Sequence, residues 1–202
     1  QLKDYSDSAI QGMTVDEKLY GIPESQKAMV LWYDKTRLPK PPRTTEELRV
    51  LMAGGTPVSM GYGCYHHFGF YGAFGGRLFD ENRAFVAGQG SGFIDAMAYM
   101  NNLYKIAKKN GWPRADSNDP DVLNSGKVVA MANGNWLMGD FKRALGDKLA
   151  VAPLPAGPAG PARPFLGVDG YYFNPNSKNK AAALRAALYL THAASQKLMM
   201  ER

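Results

Sequence analysis

The chain is predicted to be an α/β protein, and three stretches carry this prediction. Residues Val128–Ala132 form a β-branched apolar run, followed at once by the Asn133-Gly134 turn and a helix-like segment that opens at Trp136. Residues Ala28–Tyr33 form a second unbroken apolar run, which is typical of a strand buried on both faces. Residues Ser91–Lys109 instead repeat their apolar side chains with helical spacing. Strands that alternate with helices along a chain favour a sheet flanked by helices.

The composition is that of a globular chain and does not point to nucleic acid. Its 202 residues are 45% hydrophobic, which is enough to bury a sizeable core. The net charge of +6 comes from scattered residues. The tightest basic group, Lys105, Lys108 and Lys109, falls on the predicted long helix, where it indicates a solvated face. No window reaches the roughly 18 apolar residues of a membrane span. The single cysteine, Cys64, excludes a disulfide within the chain.

The amino-terminal part of the chain predicts a hairpin, a strand and a helix. Residues Met13–Pro23 have the pattern of a short hairpin whose turn lies near Asp16-Glu17. After the strand at 28–33, the proline-rich stretch Arg37–Arg43 cannot be helical, because proline fixes φ and lacks a backbone donor. Thr44 then opens a capping box that predicts a helix over Glu46–Ala53.

Residues 61–79 combine glycine with an unusual density of aromatic side chains, directly after a predicted strand at Val58–Met60. Three aromatic residues fall at helical spacing and are expected to face a core, namely Phe70, Tyr71 and Phe74. The earlier part is predicted to be a loop loosened by glycine, where side chains are available to a ligand. The candidate ligand-binding residues in this loop are Tyr62, Tyr65 and His66.

The same loop contains Cys64, His66 and His67, which are residue types that bind metals. Adjacent histidines point apart, however, and the chain has no second ligand pair at zinc spacing. We therefore expect neither a metal ion nor a cofactor.

The rest of the chain predicts one long helix and then shorter alternating elements. The apolar stripe of the helix is expected to face the core and consists of Phe93, Met97, Met100, Tyr104 and Ala107. Trp112, after this helix, is expected to be a packing lid. The further elements are a short helix over Asp121–Asn124, strands over Leu149–Leu154 and Gly167–Phe173, a Pro/Gly-rich loop over Pro155–Pro164, and helices that start at Asn179 and Ser195.

Trp136 permits two interpretations. It follows the carboxyl end of a strand, and ligands of α/β folds bind in the crevice outside such ends. An indole there offers a sugar a flat apolar face and one N–H donor. Alternatively, Trp136 plugs the core over the start of the following helix. The residues themselves leave both interpretations open.

Taken in order, several motifs together resemble the family 1 extracellular solute-binding proteins of ABC importers, the maltose-binding-protein group. The matching segments are KLYGIP (Lys18–Pro23), LWYDKTRLPKPPRTTEEL (Leu31–Leu48), AFGG (Ala73–Gly76), GKVVAMANGNW (Gly126–Trp136), APLPAGP (Ala152–Pro158) and NPNSKNKAAALRAALYL (Asn174–Leu190). Their order and spacing follow the family across nearly the whole chain. The resemblance implies a lobe of the type II periplasmic-binding-protein fold, with a central mixed β-sheet flanked by helices.

The resemblance also implies how the chain is divided. Residues 1–27 are expected to belong to the first lobe and hinge, residues 28–173 to the second, ligand-binding lobe, and residues 174–202 to the return segment to the first lobe. Residues 29–33 and 167–173 are expected to be hinge strands of one sheet. Family members are about twice as long, and Gln1 is neither an initiator methionine nor the start of a signal peptide. We therefore expect a middle piece of a longer protein.

Site residues follow from the resemblance one by one. Trp136 matches the sugar-stacking tryptophan of the family, and Tyr65 and His66 match the aromatic loop that lines the ligand cleft. Lys27 and Gly63 stand where the maltose binder has ligand-contacting glutamates, which leaves the identity of the sugar open. The remaining polar candidates are Asn135, Glu24 and Asp169.

The resemblance implies a function without chemistry. The protein is expected to bind a maltodextrin-like oligosaccharide in an interlobe cleft outside the cytoplasm, and to deliver it to the permease subunits of an ABC transporter. Only a lipid anchor or the permease would bring it to the membrane. The alternative is a binding protein or sensor domain of the same fold for another solute, such as a polyamine or a metal chelate. A glycosidase would need two carboxylates about 5 to 10 Å apart at the scissile bond, and neither Glu24 nor Asp169 sits in a hydrolase motif.

Overall fold

The structure is a computed structural model that describes residues 2–61, 63–114 and 119–200. Its contacts divide the chain into two compact units. The small unit comprises residues 1–27 and 166–202, and the sheet unit comprises residues 28–165. Residues 167–172 form a strand that pairs within the small unit. The predicted division into lobes at residues 27 and 173 stays a prediction.

Helices and strands are interspersed along the described chain, as in an α/β protein. The strands are β1 (Thr14–Val15), β2 (Lys18–Leu19), β3 (Gly21–Lys27), β4 (Met29–Asp34), β5 (Val58–Met60), β6 (Ala130–Gly134), β7 (Leu149–Ala152) and β8 (Gly167–Tyr172). The α-helices are α1 (Asp7–Gly12), α2 (Thr45–Ala53), α3 (Cys64–Ala73), α4 (Gly92–Lys109), α5 (Asp121–Asn124), α6 (Met138–Leu145), α7 (Lys180–Leu190) and α8 (Ala193–Met200). Short 3-10 turns cover Leu2–Asp4, Asn135–Leu137 and Gly146–Lys148. Among the described residues, no helix has the length and apolar character needed to cross a membrane.

The small unit is built on an antiparallel pair, β3 with β8, whose register shifts between Pro23 and Ser25. The predicted hairpin is confirmed as β1 and β2, which are joined by Asp16 and Glu17. Both turn residues have positive φ, 46° and 61°. Positive φ at both central residues is typical of the two-residue type I′ hairpin turn, in which glycine normally follows aspartate. Glu17 therefore holds a strained conformation.

The sheet unit contains a four-stranded sheet in the order β5-β6-β4-β7. Strands β5 and β6 are parallel, while β4 is antiparallel to both of its neighbours. The predicted mixed sheet is confirmed. The strand predicted over 128–132 lies slightly later, at 130–134, because its backbone pairs with residues 29–33 of β4.

Successive side chains of β4 point to opposite faces of this sheet, as the pleat requires. Leu31 packs into a core formed with helices α2, α3 and α4, which contribute large buried residues such as Met52, Phe70 and Leu103. Its neighbour Trp32 packs into the second core, which is formed with α5 and α6. The sheet is thus covered on both faces, which explains why the sequences of its strands are unbroken apolar runs.

The start of α2 follows the predicted cap. The Thr44 hydroxyl accepts a hydrogen bond from the backbone N–H of Glu47 at 3.1 Å, and the Glu47 carboxylate accepts one from the backbone N–H of Arg43 at 2.6 Å. Two backbone donors that a helix cannot satisfy internally are therefore satisfied by side chains.

Asp34 is a buried carboxylate at the end of β4. Burial alone raises its pKa, but the hydroxyl and backbone N–H of Thr36, the backbone N–H of Arg37 and the charge of Lys148 together lower the pKa below its ordinary value. The Thr36 hydroxyl lies 2.6 Å from Asp34 Oδ1. The ionised form of Asp34 therefore stabilises the turn after β4.

Two predictions about packing are wrong. Residues 29–33 and 167–173 do provide strands, but β4 and β8 belong to different sheets, because β8 finds its hydrogen-bond partner in β3. In α4, the predicted core stripe is wrong at Met97, which is 59% exposed, whereas Met100 and Ala107 of that stripe are buried together with Ala96 and Leu103. Helix α4 contacts α3, α2 and β5.

Candidate functional site

The candidate site begins where the two parallel strands of the sheet unit end. Met60 of β5 is in register with Ala132 of β6, so the carboxyl ends of these strands meet at one edge. The chain then enters α3 after β5 and the 3-10 turn Asn135–Leu137 after β6. This arrangement brings the rings of Tyr65 and Trp136 together, with centroids 6.0 Å apart and planes tilted by 47°.

Two further aromatic rings continue this surface. Phe165, from the end of the long loop after β7, lies 6.0 Å from the ring of Tyr65 and 5.9 Å from the ring of Phe68. Phe165 is 51% exposed, and the other three residues are partly buried. We call Trp136, Tyr65, Phe165 and Phe68 the aromatic ledge. The ledge presents adjoining apolar rings at a strand-end edge, where α/β folds bind ligands.

Trp136 contributes to the core and to the ledge at the same time. It is partly buried and packs against both hydrophobic cores of the sheet unit. Its six-membered ring lies directly over Gly134, where a Cβ atom would overlap it. Gly134 has φ −70° and ψ 154°, which any residue can adopt, so glycine is required here by the indole and not by the backbone.

Tyr65 and His66 do not lie in a loop, as predicted, but in the first turn of α3. The glycines of this stretch do not loosen the segment, because Gly69 and Gly72 lie inside the helix at contact points with residues 163 and 164. The His66 ring stands edge-on to Tyr65, with centroids 6.2 Å apart. The third candidate of this group, Tyr62, lies outside the described residues.

Asn135 forms two hydrogen bonds with the backbone of Ala28. Its side-chain oxygen accepts a hydrogen bond from the backbone N–H of Ala28 at 3.3 Å, and its own N–H donates to the carbonyl of Ala28 at 3.0 Å. These bonds join the start of β4 to the end of β6. Asn135 therefore fixes the chain immediately before Trp136.

The other polar candidates belong to the small unit. Lys27 and Asp169 form an ion pair with each other, and their side chains are 42% and 48% exposed. The Tyr171 hydroxyl donates to Glu24 at 2.7 Å, and this hydrogen bond raises the pKa of Tyr171. Each carboxylate of this group thus already has a protein partner.

The sequence does not single out the ledge residues Phe68 and Phe165 as candidates. Phe68 lies in a segment that is rich in aromatic residues throughout, and Phe165 follows a Pro/Gly-rich loop without helical or strand periodicity. A large aromatic side chain directly after such a loop was the available signal. In the described part of the chain, no group of three or more His, Cys, Asp or Glu side chains is arranged to hold a metal ion.

Comparisons with known proteins place this geometry in context. Residues 1–202 match the family described as bacterial extracellular solute-binding protein. The chain is 27% identical to the maltodextrin-binding protein MdxE of Bacillus subtilis strain 168, over 90% of this chain and 48% of that protein. It is 26% identical to the galactooligosaccharide-binding protein of the same organism, over 98% of this chain and 51% of that protein.

Among solved structures, the fold is similar to the GacH receptor of Streptomyces glaucescens, with a TM-score of 0.84 and 26% identity. The match covers 98% of this chain and 55% of the receptor, which was crystallised unliganded and in complex with acarbose. The chain therefore spans about half the length of the proteins it matches.

Proposed function

The chain belongs to the bacterial extracellular solute-binding proteins, and from this premise we propose that it binds an oligosaccharide of the maltodextrin type as the substrate-binding component of an ABC sugar importer. The aromatic ledge is the observation that supports this proposal. A pyranose ring has an apolar C–H face and a polar rim, so it can stack on an aromatic ring while its hydroxyls bond to nearby polar groups. The adjoining rings of Trp136, Tyr65 and Phe165 suit a ligand made of linked sugar units.

The proposal requires binding and release without chemical change. The relatives are named for the sugars they bind, and this family consists of binding proteins rather than enzymes. In the whole protein, the ledge would form one wall of an interlobe cleft, and the loaded protein would dock on permease subunits outside the cytoplasm. No cofactor is needed for any of these steps.

A polyamine ligand is the less favourable alternative. A cationic solute needs carboxylates that are available to it. Among the candidates, however, Asp169 is paired with Lys27 and Glu24 accepts the hydroxyl of Tyr171. These partners would have to be displaced before either acid could bind a cation.

A ligand screen with the 202-residue chain tests the proposal. Maltotetraose, a galacto-oligosaccharide and spermidine would each be titrated and followed by ligand-observed NMR. We expect saturable binding of at least one sugar in the millimolar range, about −4 kcal/mol, because one aromatic wall buries less of a ligand than a closed cleft. Binding of spermidine with no sugar response would refute the proposal.

A further inference from the structure

A pocket of about 460 Å³ adjoins the aromatic ledge in the sheet unit. Its walls carry four aromatic rings and two arginines, namely Phe68, Tyr71, Phe79, Phe93, Arg77 and Arg163. We call it the basic aromatic pocket. Tyr71 and Phe93 are nearly stacked, with centroids 4.4 Å apart and planes tilted by 31°. The pocket is therefore lined by aromatic rings, like the ledge, but unlike the ledge it also contains two arginines.

The ledge and the pocket are continuous through Phe68. The Phe68 ring is 5.9 Å from Phe165 of the ledge and 6.1 Å from Tyr71 of the pocket. Arg163 precedes Phe165 by two residues on the same loop. The aliphatic carbons of Arg163 pack against Gly72 of α3, close enough that a Cβ there would meet them at 3.0 to 3.3 Å. The helix thus holds the stem of Arg163, while the residue as a whole remains exposed.

Two arginines give the pocket a positive charge. Arg77 and Arg163 are exposed, and neither forms an ion pair with any residue in the described ranges. No aspartate or glutamate lines the pocket walls within those ranges. The nearby Asp80 stabilises a local turn, because its Oδ1 accepts hydrogen bonds from the backbone N–H groups of Asn82 and Ala84, each at 2.9 Å.

We propose that the basic aromatic pocket is a further subsite that takes a carboxylate carried by one sugar unit, so that the preferred ligand is an acidic oligosaccharide whose neutral units lie on the ledge. This inference rests on the proposed function. A guanidinium donates two parallel hydrogen bonds to a carboxylate and keeps its charge at every physiological pH. Aromatic walls at the same place accept the apolar face of the sugar ring that carries the acid.

The test compares maltotetraose with the same oligosaccharide in which the C6 hydroxymethyl group of the non-reducing terminal unit is oxidised to a carboxylate, so that the two ligands differ in one group and the acidic unit keeps its ring. Both are titrated by ligand-observed NMR into the 202-residue chain and into the variants Arg77→Gln and Arg163→Gln. The matched control is Arg83→Gln, because Arg83 is also exposed on the chain between α3 and α4 but does not line the pocket. A thermal melt of each variant verifies that it is folded.

We expect the acidic ligand to bind about fivefold more tightly than the neutral one at low salt, the scale of one exposed ion pair. The advantage should shrink at high ionic strength and be lost in both pocket variants, while Arg83→Gln retains it. Equal binding of the two ligands by the parent chain would overturn the subsite and leave the proposed sugar binding intact. Binding of neither ligand would overturn both. Inorganic phosphate that binds with the same arginine dependence and does not compete with the acidic sugar would also overturn the subsite.

Discussion

Replacing Trp136 by alanine is expected to weaken folding and sugar binding by separate amounts. Full truncation of a buried aromatic residue costs about 3 to 5 kcal/mol. Trp136 is only partly buried, although it touches both cores, so we expect roughly half of that loss, about 2 kcal/mol. If the indole covers about two methylene equivalents of a pyranose face, at about 0.8 kcal/mol each, binding weakens by about tenfold.

The control is Trp112→Ala. Trp112 is also partly buried and packs against the first of the two cores, but it is not one of the ledge residues. Both variants should lose comparable stability in urea unfolding, and only Trp136→Ala should lose affinity in a titration with maltotetraose. If both variants unfold more easily and bind the sugar equally well, Trp136 is a core plug and the ledge does not bind sugar.

Three further substitutions follow from the same structure. Gly134→Ala should destabilise the fold by about 1 to 3 kcal/mol through overpacking against Trp136, and it should weaken sugar binding. Its control, Gly139→Ala, lies on an open helix surface and should stabilise the fold by up to about 1 kcal/mol. Equal melting temperatures of the two variants would contradict this reasoning. Glu17→Gly should raise stability by about 0.5 to 1 kcal/mol by relieving its positive φ, and a lower melting temperature would disprove the strain. Asp34→Asn should cost about 1 to 2 kcal/mol near pH 7. Because the folded pKa of Asp34 is lowered, this cost should persist above about pH 4 and vanish as the pH falls through the folded value; a cost that is constant in acid would refute the role of its charge.

The family and much of the local structure could be predicted from the sequence. The resemblance is confirmed by the family match over residues 1–202. The predicted turn at Asp16-Glu17, the cap at Thr44 and the strand now seen as β4 are present. Each of these depends on side chains within a few residues of one another, since turns, caps and apolar runs are local signals.

The composition of the ledge depended on the tertiary structure. Phe165 reaches Tyr65 across 100 residues of chain, through a Pro/Gly-rich loop whose path no periodic pattern describes. The contacts of Asn135 and Asp169 could not be predicted from the sequence either, because Asn135 forms a hydrogen bond with the distant backbone of Ala28 and Asp169 forms an ion pair with the distant Lys27. A sequence shows which side chains can donate, accept or stack, but not which distant partner they meet.

Strand pairing and helix orientation show the same difference between local and long-range information. The strands predicted over residues 28–33 and 167–173 and the helix predicted over 91–109 are present as β4, β8 and α4, because these states follow from nearby residues. Long-range contacts in the folded chain determine that β8 pairs with β3 instead of joining the sheet of β4, and that Met97 faces solvent while Ala96 is buried. A strand can form backbone hydrogen bonds with several other strands, and the apolar side chains of a helix can pack against several surfaces, with similar energies. The choice among them is made by long-range packing, which has no periodicity along the chain.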